Sequence, residues 1–394
     1  MRRSRLPTGG TNLFQAIKAK CRETEATGRT LYQLSIGQPR QLTGPALLSA
    51  REVAAKAVMS DAESMHEYQD NGSPGVPNFA KRFVQAHFNF SLNCMDVDYL
   101  PVPGIKPIIG LVPLACGAAR DPIIVGTTTK PGYPTPADWC GYLAVQHYSL
   151  PLNPENGFRF RPKDVEIGTN LLMVNYPHNP SGQIATRKWW EKICQHCMDH
   201  NIRLFNDNPY YILSHSPESY ALAEVVINFP DLSWAEAFSA SKVIGNGTGW
   251  RIGAIVGSPD FVGDIATIKS NTDSGFSAPM AAGALYAIEN DKEGVAGCRE
   301  LYGQRLQILI QILIKYGMKL AVHPGAGFFT LWKRPNKAFG EKIRDAKHFN
   351  FLMIERTGIV GVHFEPYIRY AVCGDIERMT KAIEKAFHEA DVSY

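Results

Sequence analysis

Long apolar runs are missing from this sequence. Its uninterrupted apolar segments fall well short of the ~20 residues a bilayer-spanning helix needs. Ile108 to Ala119 is broken by Pro113 and reads as a buried helix, so no membrane partner is expected. An excess of charge of one sign is missing too: 41 Lys and Arg stand against 37 Asp and Glu, a formal +4, with no long basic block. That balance speaks against a nucleic-acid partner or a membrane-surface protein. Met1-Arg2-Arg3-Ser4-Arg5 is basic, but no apolar h-region follows, so it reads as a short basic tail and not a secretory leader. Cysteine patterning is absent: the 8 cysteines are scattered, as expected of reduced, buried thiols in a cytoplasmic protein. Only Cys194-Gln195-His196-Cys197, with His200 nearby, has metal-like spacing, and no second ligand pair closes a tetrahedral site, so no metal is expected. A Walker loop, a His-Glu-x-x-His pair and a nucleophile-elbow serine are all lacking, which removes their chemistries.

What is present is an ordinary globular composition, 45% hydrophobic and 20% charged over 394 residues, enough for two domains with substantial cores. Short apolar runs bounded by turns read as buried strands at Pro122–Val125, Leu171–Val174, Ile202–Phe205, Trp234–Phe238 and Ile252–Val256. They alternate with helical stretches at Thr11–Arg22, Pro45–Met59, Asn78–Phe88, Pro107–Cys116, Arg187–His200 and Pro279–Ile288. The alternation predicts an α/β fold. It fades after Gly257, where helices are expected at Leu301–Tyr316, Asp345–Glu355 and Ile376–Glu389.

The chemistry gathers at the ends of the apolar runs. After Trp234–Phe238 comes Ser239-Ala240-Ser241-Lys242, then a Gly-rich loop, then Gly249-Trp250-Arg251-Ile252-Gly253. A lysine at the mouth of a sheet, partly desolvated and near another cation, has a lowered pKa and becomes a nucleophilic amine suited to a Schiff base. Ser239 and Arg251 offer hydroxyl and guanidinium groups that match a phosphate. Pyridoxal phosphate carries both an aldehyde and a phosphate and satisfies the whole cluster. Pro103-Gly104-Ile105-Lys106 feeds a helix N-terminus, a place where backbone N–H groups and the dipole favour an anion. Asp207 closes the run Ile202–Phe205, where ligands bind in open α/β sheets, although a strand-end aspartate can also be a plain helix cap.

These motifs, in this order, resemble those of fold-type I pyridoxal phosphate enzymes, in particular the class I and II aminotransferases. Asn175-Tyr176-Pro177-His178-Asn179-Pro180-Ser181-Gly182 resembles the family's Asn-Pro-x-Asn-Pro-Thr-Gly loop, with Tyr176 and Ser181 as departures. The resemblance covers about Gly37 to Arg369. It implies a large domain with a mostly parallel seven-stranded sheet flanked by helices, and a smaller α+β domain formed by both termini. The expected division is 1–43 as N-terminal arm and part of the small domain, 44–289 as the large cofactor-binding domain and 290–394 as the small C-terminal domain.

The same resemblance implies roles for individual residues. Lys242 would hold the cofactor, Asp207 would pair with its pyridinium nitrogen, and Tyr210 and Asn179 would hydrogen-bond its phenolic oxygen. Tyr133 would lie against the ring, while Gly104, Ile105, Lys106, Ser239 and Arg251 would anchor the phosphate. Arg369 would clamp the substrate carboxylate with Asn179, Gly37 would line the substrate side, and Tyr68 would reach the phosphate of a partner subunit in a homodimer. The partners implied are an amino acid and a 2-oxo acid. Three departures bear on this: the loop from Lys242 to Arg251 is one residue longer than usual, Tyr68 to Gly75 about two longer, and Gly358 to Arg369 several shorter. The last puts inherited specificity in doubt.

Other readings remain beside transamination. A β-lyase, decarboxylase or cyclopropane-forming lyase would use the same residues, because the protein selects the outcome by choosing which Cα bond stands perpendicular to the ring. A catalytically silent binding protein is opposed by intact Lys242, Asp207 and Arg369. Gly245-Asn246-Gly247-Thr248-Gly249 has a dinucleotide look, but it leads into a strand, whereas that fingerprint must open a helix.

Overall fold

The computed structural model describes residues 13–39, 45–245 and 247–394. The basic tail, the first residues of the expected Thr11 helix, and Asn246 lie outside them. Seven strands form the main sheet: β1 (Asp98–Val102), β2 (Ile124–Thr127), β3 (Gln146–Ser149), β4 (Leu171–Val174), β5 (Arg203–Asn208), β6 (Trp234–Ser239) and β7 (Gly253–Gly257). Their order is β1-β7-β6-β5-β4-β2-β3. Every pairing is parallel except those that β7 makes with β1 and β6, so the sheet is mostly parallel with one reversed strand.

The central strands are the apolar runs of the sequence because both faces are covered; β4, β6 and β7 are buried at every position. The two strands without such runs, β1 and β3, lie at the edges. Pro101 sits in β1, which only an edge strand tolerates readily, and β3 reads Gln-His-Tyr-Ser and is partly solvated. One core packs each face of this sheet.

Helix boundaries differ where glycine and proline intervene. The stretch expected as one helix over Pro107–Cys116 is two, Ile105–Ile109 and Leu111–Ala115, joined at Gly110. The helix expected at Leu301 begins nine residues earlier and runs Lys292–Lys315. Asp291 caps its start by accepting the Gly294 N–H at 2.8 Å, which offsets the weak propensity of Gly294, Gly297 and Gly303.

A third core collects Leu34 from the N-terminal segment with Phe328, Ile368, Tyr370 and Phe387 from the C-terminal part. Its four-stranded antiparallel sheet consists of Val362–Phe364, Tyr367–Ala371, Phe329–Lys333 and Leu320–Val322, in that order. Tyr32–Gln33 pairs in parallel with Ile359–Val360, tying the N-terminal segment to this part of the molecule. The short stretch before Arg369 is a hairpin whose strands are joined only by Glu365 and Pro366. No helix among the described residues is long and apolar enough to cross a membrane.

Candidate active site

The parallel strands β4, β5 and β6 all end at one cavity of about 910 Å³, where their C-terminal loops meet the N-terminal segment and Arg369. It brings together Gly37, Ile105, Lys106, Tyr133, Asn179, Asp207, Tyr210, Ser239, Lys242, Arg251 and Arg369, which are far apart in sequence. Gly104 stands directly behind: with φ +78° it takes a conformation that favours glycine, and a Cβ there would collide with the Arg251 guanidinium. Tyr68 is the exception. It is 81% exposed and does not line the cavity of its own chain.

Lys242 is presented at the end of β6 by one helical turn, Ala240–Val243. The Ser239 side chain caps that turn by accepting the Ser241 N–H at 3.1 Å. The Lys242 Nζ donates to the Gly37 carbonyl at 2.6 Å and lies 5.9 Å from the centre of the Phe328 ring. Burial pulls its ammonium down to about 8, with Arg369 and Arg251 pushing the same way and Asp207 opposing. Asp207 moves the other way: burial lifts its carboxyl to about 7, held back by Lys242. Among the described residues no side-chain donor reaches that carboxyl.

Arg369 is 2% exposed. Its Nη1 donates to Asn179 Oδ1 at 2.8 Å and its Nη2 to the Ser35 carbonyl at 2.6 Å. The guanidinium stacks 4.2 Å from the Phe329 ring centre, while its Nε has no partner among the described residues. A buried guanidinium with a donor to spare suits a carboxylate. At the opposite end, the exposed Lys106 and Arg251 combine with Ser239, Ser241 and Thr248 in a set of donors suited to a phosphate. Tyr133, Tyr210 and Asp207 line the same cavity. The residues present therefore fit pyridoxal phosphate: an anion cradle, an acid for a ring nitrogen and a near-neutral amine.

One residue of this centre has no role in the sequence reading. The Asn175 side chain donates to the Asp207 carbonyl at 2.6 Å and accepts the Asn179 N–H at 2.8 Å, so a single amide spans the two loops that carry Asp207 and Asn179. Its place at the C-terminal end of an apolar run is the signal that could have found it.

The sequence profile of the family described as aminotransferase class I and II matches residues 29–385, and the chain belongs to that family. It is accordingly a pyridoxal phosphate-dependent aminotransferase. LL-diaminopimelate aminotransferase of Syntrophobacter fumaroxidans is 29% identical over 392 residues, covering 95% of each chain. Among solved structures, an aspartate aminotransferase from Rhizobium meliloti superposes over 100% of both chains with a TM-score of 0.84 at 18% identity. A probable N-succinyldiaminopimelate aminotransferase from Thermus thermophilus covers 96% of this chain and 100% of its own with a TM-score of 0.81 at 21% identity.

Proposed function

We propose that Lys242 carries the cofactor and shuttles the proton at the substrate Cα, in transamination of an L-amino acid bearing a distal charged group. Pyridoxal phosphate, when bound, supplies an aldehyde for the amino group and a ring that takes up electrons. The protein does the rest. Lys106, Arg251, Ser239 and the Gly104–Ile105 backbone hold the phosphate, and Tyr133 and Tyr210 hold the ring. Asp207 accepts the ring N–H and keeps that proton in place. Arg369 and Asn179 fix the substrate carboxylate, which orients the Cα proton toward Lys242 Nζ. An amine with a pKa of about 8 both accepts and returns a proton near neutral pH. The observation that carries the reading is the convergence of Lys242, Asp207 and Arg369 on one cavity from three separate parts of the chain.

The far wall of the cavity supports the substrate class. It is formed by the helix Leu13–Glu25, which places Lys18, Arg22 and Glu25 on the lining. Both signs of charge there match a donor with an amino acid group at its far end, the kind of molecule for which the diaminopimelate relatives are named. A panel of amino donors with 2-oxoglutarate or pyruvate tests the reading; kcat/KM should favour diaminopimelate and other donors with distal charge over alanine and phenylalanine. Turnover without a 2-oxo acid acceptor would instead point to lyase chemistry.

The working form we propose is a homodimer, in which exposed Tyr68 reaches the partner's phosphate end. Each subunit would divide into 44–289 and a smaller body of 1–43 with 290–394. A cytoplasmic setting agrees with eight cysteines that form no disulfide.

A further inference from the structure

Glu236 lies in the middle of β6 with 0% exposure, and none of the roles above uses it. It pairs in register with Asn206 of β5, the residue before Asp207. Side chains alternate along a strand, so Asn206 and Asn208 point to the face of the sheet opposite Asp207. There both meet one carboxylate. Glu236 Oε1 accepts from Asn206 Nδ2 and from Asn208 Nδ2, each at 2.7 Å, and from the Leu222 N–H at 3.1 Å. Oε2 accepts the Ala223 N–H at 2.9 Å.

The two asparagines carry the constraint onward. Asn206 Oδ1 accepts the Tyr176 N–H at 2.9 Å and its Nδ2 donates to the Tyr176 carbonyl at 3.0 Å, gripping the loop that delivers Asn179. Asn208 Oδ1 accepts the Tyr211 N–H at 3.1 Å, directly after Tyr210. Each asparagine thus ends on a residue beside, or on the loop of, a group that faces the cavity. The donors around Glu236 are all N–H groups and fall on both carboxyl oxygens, so a glutamine would turn its own NH₂ against one of them.

We infer that Glu236 is a positioning residue for catalysis: from the far side of the sheet it sets the relative placement of Asp207, Asn179 and Tyr210. This rests on the reading of those three as ring- and substrate-facing groups.

The test is made on the holoenzyme with Glu236→Gln and, as a milder break, Asn208→Ala. Three quantities are measured: thermal midpoint, pH titration of the bound cofactor's visible absorption, and kcat with KM for the amino donor. The expected result is a titration midpoint moved by half a pH unit or more and a kcat lowered at least tenfold, with KM within threefold. Variants that melt earlier yet keep the wild-type titration and kcat would overturn the inference and leave Glu236 a structural residue. If Glu236→Gln does not fold, Asn208→Ala decides by the same criteria. Asp207→Asn runs alongside: if it changes neither titration nor rate, the reading of Asp207 falls first and this inference falls with it.

Discussion

Asp207, half-buried at the cavity, and Glu236, fully buried, are two carboxyl groups on neighbouring strands, facing opposite sides of one sheet. Burial lifts both to about 7. Their surroundings differ in what opposes that lift. Glu236 is held by hydrogen bonds from Ala223, Asn208, Asn206 and Leu222, all supplied by the protein itself. For Asp207 the opposing influence is Lys242 alone. A carboxylate whose acceptor sites are filled by its own chain can act only through the residues it holds, whereas one that faces a cavity can meet a ligand directly. The difference separates the closed face of the sheet from the working face.

The most severe way to break the working face is Lys242→Ala. It should lower kcat by about 10³-fold or more, at the upper end of what a positioned acid–base group supplies, and abolish a borohydride-stable adduct mapped to that peptide. Asp207→Asn comes next, with an expected loss of about 10²–10³-fold in kcat, the usual effect of removing one preorganised electrostatic partner. Arg369→Lys loses the planar fork and leaves Asn179 and the Ser35 carbonyl short of a donor. A cost of about 2 kcal/mol, the low end for breaking a buried charged pair, corresponds to a roughly 30-fold rise in KM for the amino donor.

A gentler test uses pH and the cofactor-free protein. Both carboxyls have folded pKa values raised from 3.8 and 4.5 to about 7. Each therefore contributes stability that is fully present below about pH 4 and is lost as pH rises through about 7. Thermal midpoints measured from pH 4 to 8 should fall less steeply in Asp207→Asn than in the wild type; an unchanged slope would place the titration elsewhere. The smallest effect is expected of Tyr68→Phe. A surface change of this kind should stay within about 0.5 kcal/mol in stability, so any loss of cofactor affinity would report contact with a second subunit.

The working face was the legible part of the molecule. Lys242 and the Asn179 loop each follow a strand buried on both sides, and Asp207 stands near the end of a third, so an apolar run stopping at a polar residue marks the spot. Glu236 shows the opposite case. It is the one charged residue inside the apolar run Trp234–Phe238, and its four donors come from residues 206, 208, 222 and 223. Nothing local announces such a partnership. Strands β1 and β3 escape for a related reason, since an edge needs no apolar run and one of them even accepts Pro101. Tyr68 is conspicuous in sequence yet is exposed and lies outside the cavity of its own chain, so no contact within the chain marks its role.

The N-terminal segment holds two cations of the centre at once: the Ser35 carbonyl takes Arg369 and the Gly37 carbonyl takes Lys242, each at 2.6 Å. Those two oxygens act as internal competitors for the groups that a substrate and a cofactor would claim. Affinity for either then measures an exchange of partners and not the full strength of a new contact. The two carbonyls stand two residues apart on one strip of backbone, so a shift at residue 37 on release of Lys242 would be felt at the contact that restrains Arg369. Loading the lysine end should therefore sharpen capture of a carboxylate at the arginine end, a cooperativity transmitted through three residues.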